Sequence, residues 1–160
     1  MSRPPVPDAT TVAGADGCPA GWIVVTARPN AAAHVLVEVQ VVPDFVALLE
    51  ATAACAALAV DIPIALSADG HRRADFEARR RIGGRSSSVF PAPARMLLSA
   101  TSYTEANALS WSALGKGLPA QAFGIMAKIR EANACVTPEM QSRVVESLLK
   151  KSSSSLPTLR

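Results

Sequence analysis

Residues 57–64 read Ala-Leu-Ala-Val-Asp-Ile-Pro-Ile. From Ala57 to Ile62 the run is apolar except for Asp61. A strand that is apolar throughout is covered on both faces, so this stretch predicts a buried central strand. An acid inside such a run loses hydration and needs a partner or a task. What precedes it decides how the strand is used. Thr10 to Asp16 is a short apolar run ending in Asp-Gly, and Trp22 to Ala27 is rich in β-branched residues. His34 to Val42 alternates, with Val35, Val37, Val39 and Val41 on one face and Glu38 and Gln40 on the other. That pattern predicts a half-exposed strand at or near a sheet edge. Short turns at residues 17–21 and 28–30 make these three strands antiparallel neighbours. Asp44 then caps a helix with apolar positions Phe45, Leu48, Leu49 and Thr52. A strand reached through a helical crossover lies parallel to the first.

This order places two carboxylates together. Asp16 ends the first strand and Asp61 lies near the end of the fourth. On adjacent parallel strands they emerge at one edge of the sheet, about 4.8 Å apart. Carboxylates that close repel each other, and Mg²⁺ or Mn²⁺ relieves the repulsion. Such a site polarises a phosphodiester and activates water.

The remainder predicts helices and loops. A helix is expected over Arg73 to Ile82, stopped by Gly83-Gly84, and residues 86–93 are expected to be extended. A short helix follows at Ala94 to Ala100. Ser102 and Glu105 form a capping box for a helix through Ser110. Gly115-Lys116-Gly117 reads as a flexible loop, Pro119 to Asn133 as one long helix, and Thr137-Pro138 as the start of a last helix reaching about Lys151.

Composition narrows the classes. The chain has 160 residues, 49% hydrophobic and 18% charged, with a net charge of +3. That excludes an intrinsically disordered chain, a collagen and a coiled coil. No apolar stretch approaches the roughly 20 residues of a membrane span, so no membrane partner is expected. Cys18, Cys55 and Cys135 form no C-x-x-C pair and read as inert thiols in a reduced, cytoplasmic compartment. His34 and His71 read as structural or solvated. Residues 71–95 hold seven arginines against Asp75 and Glu77, a local charge of +5. This suits a phosphate-rich partner such as nucleic acid, or simply a solvated helix face.

Five stretches occur in a telling order. They are Val12-Ala-Gly-Ala-Asp16-Gly-Cys-Pro-Ala-Gly-Trp22, Val60-Asp61-Ile-Pro-Ile64, Arg85-Ser-Ser-Ser-Val-Phe-Pro-Ala-Pro93, Gly115-Lys-Gly-Leu-Pro-Ala-Gln121 and Lys128-Ile-Arg-Glu131. Together they resemble the predicted nucleases with a ribonuclease-H-like fold that are labelled domain of unknown function 429, over roughly residues 10–144. The resemblance implies an α/β fold: a ribonuclease-H-like mixed sheet of three antiparallel strands, a helix and a parallel fourth strand, followed by helices. It implies that Asp16 and Asp61 are the first two acids of a Mg²⁺ or Mn²⁺ site in a nuclease. It places Arg85, Ser87, Lys116, Gln121 and Lys128 along the adjoining substrate cleft. Family members continue through a His-Pro-Glu motif that is absent here. The expectation is therefore a flexible arm at residues 1–9, one domain at 10–151 incomplete at its C-terminus, and a disordered tail at 152–160. A third acid and a sheet strand would be lost, leaving Glu131 or Glu146 as substitutes for the acid. The sheet edge so opened would invite self-association. The alternative is a truncated, inactive relative that binds nucleic acid or a partner through its arginines.

Overall fold

Three strands paired in order form an antiparallel meander. Strand β1 spans Asp8–Cys18, β2 Gly21–Pro29 and β3 Val35–Val42. The computed structural model describes residues 8–30, 35–68, 70, 72–82 and 91–147. Gly21 closes the first hairpin at φ 131°, where a Cβ would sit 2.1 Å from the Val42 carbonyl oxygen. Only glycine accepts both that dihedral and that approach. Helix α1 (Phe45–Ala51) carries the chain across the sheet, its first turn capped by the Asp44 carboxylate accepting from Ala47 N at 2.8 Å. Strand β4 (Cys55–Val60) then pairs with β1 in parallel, as the crossover requires.

The C-terminal half departs from the periodicity. Helices α2 (Arg73–Ile82) and α3 (Tyr103–Leu114) form as expected, flanking a 3-10 turn at Arg95–Ser99. Ser102 Oγ accepts from Glu105 N, and the Glu105 carboxylate reaches back to the backbone N–H groups of Thr101 and Ser102, closing the expected capping box. The expected helix over 119–133 is two helices, α4 (Ala120–Gly124) and α5 (Met126–Cys135), with the break at Ile125 just after a glycine. The helix expected from Thr137 to Lys151 does not form over its described part. Pro138–Ser142 is a 3-10 turn, and Val144–Glu146 is strand β5. Two β-branched residues there find the free edge of β4. Leu58 N donates to Arg143 O at 2.9 Å, and Ser147 N donates to Val60 O at 2.8 Å. Tertiary hydrogen bonding overrides local helix preference.

The result is an open five-stranded mixed sheet in the order β3-β2-β1-β4-β5. One face of the sheet carries the core. Trp22, Val24, Leu58, Val60 and Val144 pack with Phe45 and Leu48 of α1 and Ala132 of α5. Trp22 meets Phe45 edge to face at 5.1 Å. Helix α5 joins this core to a second one, because Met126 packs with Leu97, Ala106, Leu118 and Ala122. The opposite face of the sheet is bare among the described residues. Val12, Ile23, Val25, Val39, Val41 and Val145 are all exposed there. The expectation that β4 is covered on both faces therefore holds for one face only. Its apolar run reflects small alanines on the open side as well as Leu58 and Val60 in the core.

A buried ionic network ties the two halves together. The Arg72 guanidinium donates to Glu146 through both terminal nitrogens, at 2.6 and 2.9 Å, to Asp75 at 2.5 Å and to Ile64 O at 2.7 Å. Glu146 also accepts from Ile64 N, and Asp75 accepts from Ala92 N. One arginine thus fastens the loop after β4, the end of β5 and the start of α2. Burial works against its charge, but the two carboxylates hold it protonated more firmly than usual. Arg72 therefore does not belong to a solvated basic face. Removing it leaves two buried carboxylates without their cation, which costs about 3–5 kcal/mol. Arg72→Met should lower the urea midpoint accordingly, whereas Arg80→Met, at an exposed pair with Glu77, should change stability by less than about 1 kcal/mol.

Candidate functional site

The site is built where β1 and β4 end. Ala15 pairs with Val60 in the parallel register, and Asp61 N donates to Ala15 O at 3.0 Å. The next residues along are Asp16 and Asp61. Equal register on neighbouring parallel strands turns both toward the same face, separated by about one strand spacing of 4.8 Å. Both line one open recess of about 270 Å³, together with Gly14, Ile23, Val25, Ala59 and Ser147. Asp16 is exposed and Asp61 half-buried. The floor is apolar and the polar groups sit at one end. Two carboxylates and a serine hydroxyl offer oxygen donors only, which is the donor chemistry a hard divalent cation takes.

Glu131 does not complete that set. Among the described residues, no group of three or more His, Cys, Asp or Glu side chains gathers closely enough to hold a metal ion. Glu131 lies on α5, against the core face of the sheet. Its Oε2 accepts from Trp22 Nε1 at 2.8 Å and its Oε1 accepts from Lys128 Nζ at 2.9 Å. Lys128 lies 5.0 Å from the centre of the Trp22 ring, and its stem packs against Gly17. Glu146, the other candidate for the third acid, faces the core in register with Val60 and is held by Arg72.

The remaining residues divide clearly. Lys128 is brought beside Gly17 and so next to the end of β1. Lys116 follows α3 in a loop held by its own carbonyl, which accepts from Ser110 Oγ at 2.8 Å. Gln121 is exposed on α4. No contact joins Lys116 or Gln121 to the recess. Arg85 and Ser87 lie outside the described residues, as do His34 and His71. Of the basic cluster, Arg95 donates to Leu66 O and Arg72 is buried, so both serve the fold. All three cysteines are free. Burial and the nearby Asp44 and Glu131 carboxylates push the Cys135 thiol up, away from reactivity. Ser147 was missed in the sequence because β5 reads as helix; Val144-Val145 was the available signal for a strand. No described helix is long and apolar enough to cross a membrane.

The Trp22–Lys128–Glu131 cluster has a pH signature. Partial burial raises the Glu131 carboxyl, but the hydrogen bonds from Lys128 and Trp22 and the Lys128 charge outweigh it, so the group titrates below its ordinary value of 4.5. A carboxyl lowered in the folded state stabilises fully above its unfolded value and loses that contribution as pH falls through the folded value. Wild type should melt higher than Glu131→Gln at about pH 6, and the gap should narrow as pH falls below the ordinary carboxyl value and through the lower folded one. A gap that stays constant with pH would show that the carboxylate charge contributes nothing.

No curated protein and no solved structure matches the chain. The family model described as "Protein of unknown function (DUF429)" matches residues 14–148, a span that includes both Asp16 and Asp61 and runs past β5. With most of its length matched, the chain belongs to the DUF429 family.

Proposed function

We propose that this protein is a metal-dependent phosphodiesterase of ribonuclease-H-like type, acting on nucleic acid. One observation carries the reading: Asp16 and Asp61 each follow directly on the last paired residues of adjacent parallel strands, Ala15 and Val60, and line one open recess, although β1 itself runs on to Cys18. A Mg²⁺ or Mn²⁺ held there would neutralise charge on a phosphate and acidify a water. The chain's own part is geometric. The β1–β4 ladder holds the two carboxylates at a fixed separation. The Arg72–Glu146 clamp on Ile64 restrains the loop that leaves Asp61. Lys128, beside Gly17, supplies a cation near the end of β1 that can meet a phosphate oxygen. Lys116, Arg85, Ser87 and Gln121 extend the same proposal to the rest of the substrate.

A second reading has its own support. With Glu131 engaged by Lys128 and Trp22, two acids among the described residues stand at the recess. An inactive relative that binds nucleic acid through its basic residues fits that count. Salt separates the two readings, since phosphate-driven affinity without a metal falls steeply with salt.

Partners of metal ligands, which do not themselves touch the ion, already cost 10–100-fold, so loss of a ligand should cost at least about 100-fold. Asp16→Asn and Asp61→Asn should each lower Mn²⁺-dependent cleavage of single-stranded and duplex substrates by that factor. Mn²⁺ at 100 times its Kd should also stabilise the wild type by about 2.7 kcal/mol, and neither variant. Unchanged cleavage in Asp16→Asn would end the nuclease reading. A salt-sensitive, metal-independent affinity without cleavage would establish the second one.

A further inference from the structure

The bare face of the sheet is the feature that the site does not absorb. Register places Val12 and Gly14 of β1, Ile23, Val25 and Ala27 of β2, Val35, Val37, Val39 and Val41 of β3, Ala59 of β4 and Val145 of β5 on one side. Eight of these are large aliphatic side chains, and each keeps between 37% and 65% of its surface exposed. Together they present on the order of 600 Å² of aliphatic surface. That is at the top of the range for the largest patch of a typical monomer, and close to the roughly 800 Å² each partner brings to a standard interface. Isolated exposed valines need no explanation; eight large aliphatic side chains on one face, drawn from four of the five strands, do.

We infer that this face is the interface of a homodimer, in which two copies pack sheet against sheet. Two properties favour a second copy as the occupant. First, the face is self-complementary. It is built mainly from β-branched side chains, and its area of about 600 Å² a side suits the packing of two twisted sheets about 10 Å apart. Second, its only charges among the described residues are Asp16 and Asp61, both at one end. A two-fold axis in the interface and across the strands makes the strands of the two copies antiparallel. The two acid pairs then lie at opposite ends of the interface, and no like charges meet. The parallel alternative would crowd four carboxylates at one end, so charge selects the antiparallel arrangement. An aliphatic partner surface would close the floor of each recess while leaving its carboxylate end at the rim. This contact uses the face of the sheet and is distinct from pairing along an edge strand.

Sedimentation velocity over a micromolar concentration range tests the inference. The wild type should run as a species of twice the 16.6 kDa chain mass. Val25→Lys with Val39→Lys should convert it to a monomer that still melts cooperatively, since both side chains are exposed in the single chain. Val37→Lys alone gives the same reading at the outer strand if the double variant does not fold. Val46→Lys, on the exposed side of α1, should leave the dimer intact. A monomeric wild type overturns the inference, whether residues 148–160 or another molecule covers the face. A dimer that persists in the double variant overturns it too, and moves the contact to a sheet edge.

Discussion

The parallel pairing of β1 with β4 is the constraint on which the rest of the molecule depends. Its last described bond, from Asp61 N to Ala15 O, sets the register in which Asp16 and Asp61 become neighbours. The same pairing fixes which side chains of β1 and β4 face α1 and α5, and therefore where Trp22, Leu58 and Val60 meet Phe45 and Leu48. A slip of one residue would turn every side chain of β4 to the other face and separate the two acids. Carboxylate geometry and core packing are thus two consequences of one hydrogen-bonded ladder.

The acids that might accompany this pair are committed elsewhere. Glu146 belongs to the Arg72 network and faces the core, while Glu131 is held between the indole of Trp22 and the ammonium of Lys128. Both arrangements are satisfied hydrogen-bonding sets in partly buried surroundings, where releasing a carboxylate would strand its partners. Two acids with a serine beside them, rather than three acids, is the donor set the described residues bring to the recess. Lys128 lies over the Trp22 ring on the core side of the sheet, the side opposite the recess.

The sheet is asymmetric in a way that composition conceals. All of its large buried residues lie on the side of α1 and α5, yet the open side is nearly as aliphatic. Valine on an uncovered face has no local justification, because β-branched residues stabilise strands chiefly by packing against neighbours. The surface left bare therefore has the character of a core cut in half, which is how obligate interfaces differ from ordinary protein surface.

Much of this was legible in the residues themselves. Short turns and β-branched runs determined the antiparallel meander, Asp44 and Ser102 marked helix starts, and the acid in Leu-Ala-Val-Asp-Ile marked the site. These signals are local, carried by turn chemistry, capping and period. What followed Thr137 was not legible, because Val144-Val145 becomes a strand only when the edge of β4 is there to receive it. Nor could sequence show that Glu131 would be taken by a tryptophan 109 positions away, or that Arg72 would be buried while its neighbour Arg73 is exposed. The sequence by itself determined the order of the first four strands and the pair of carboxylates. Only the tertiary structure decided which face carries the core, which acids are held away from the recess and which arginines are spent on the fold, because those depend on partners brought together from distant parts of the chain.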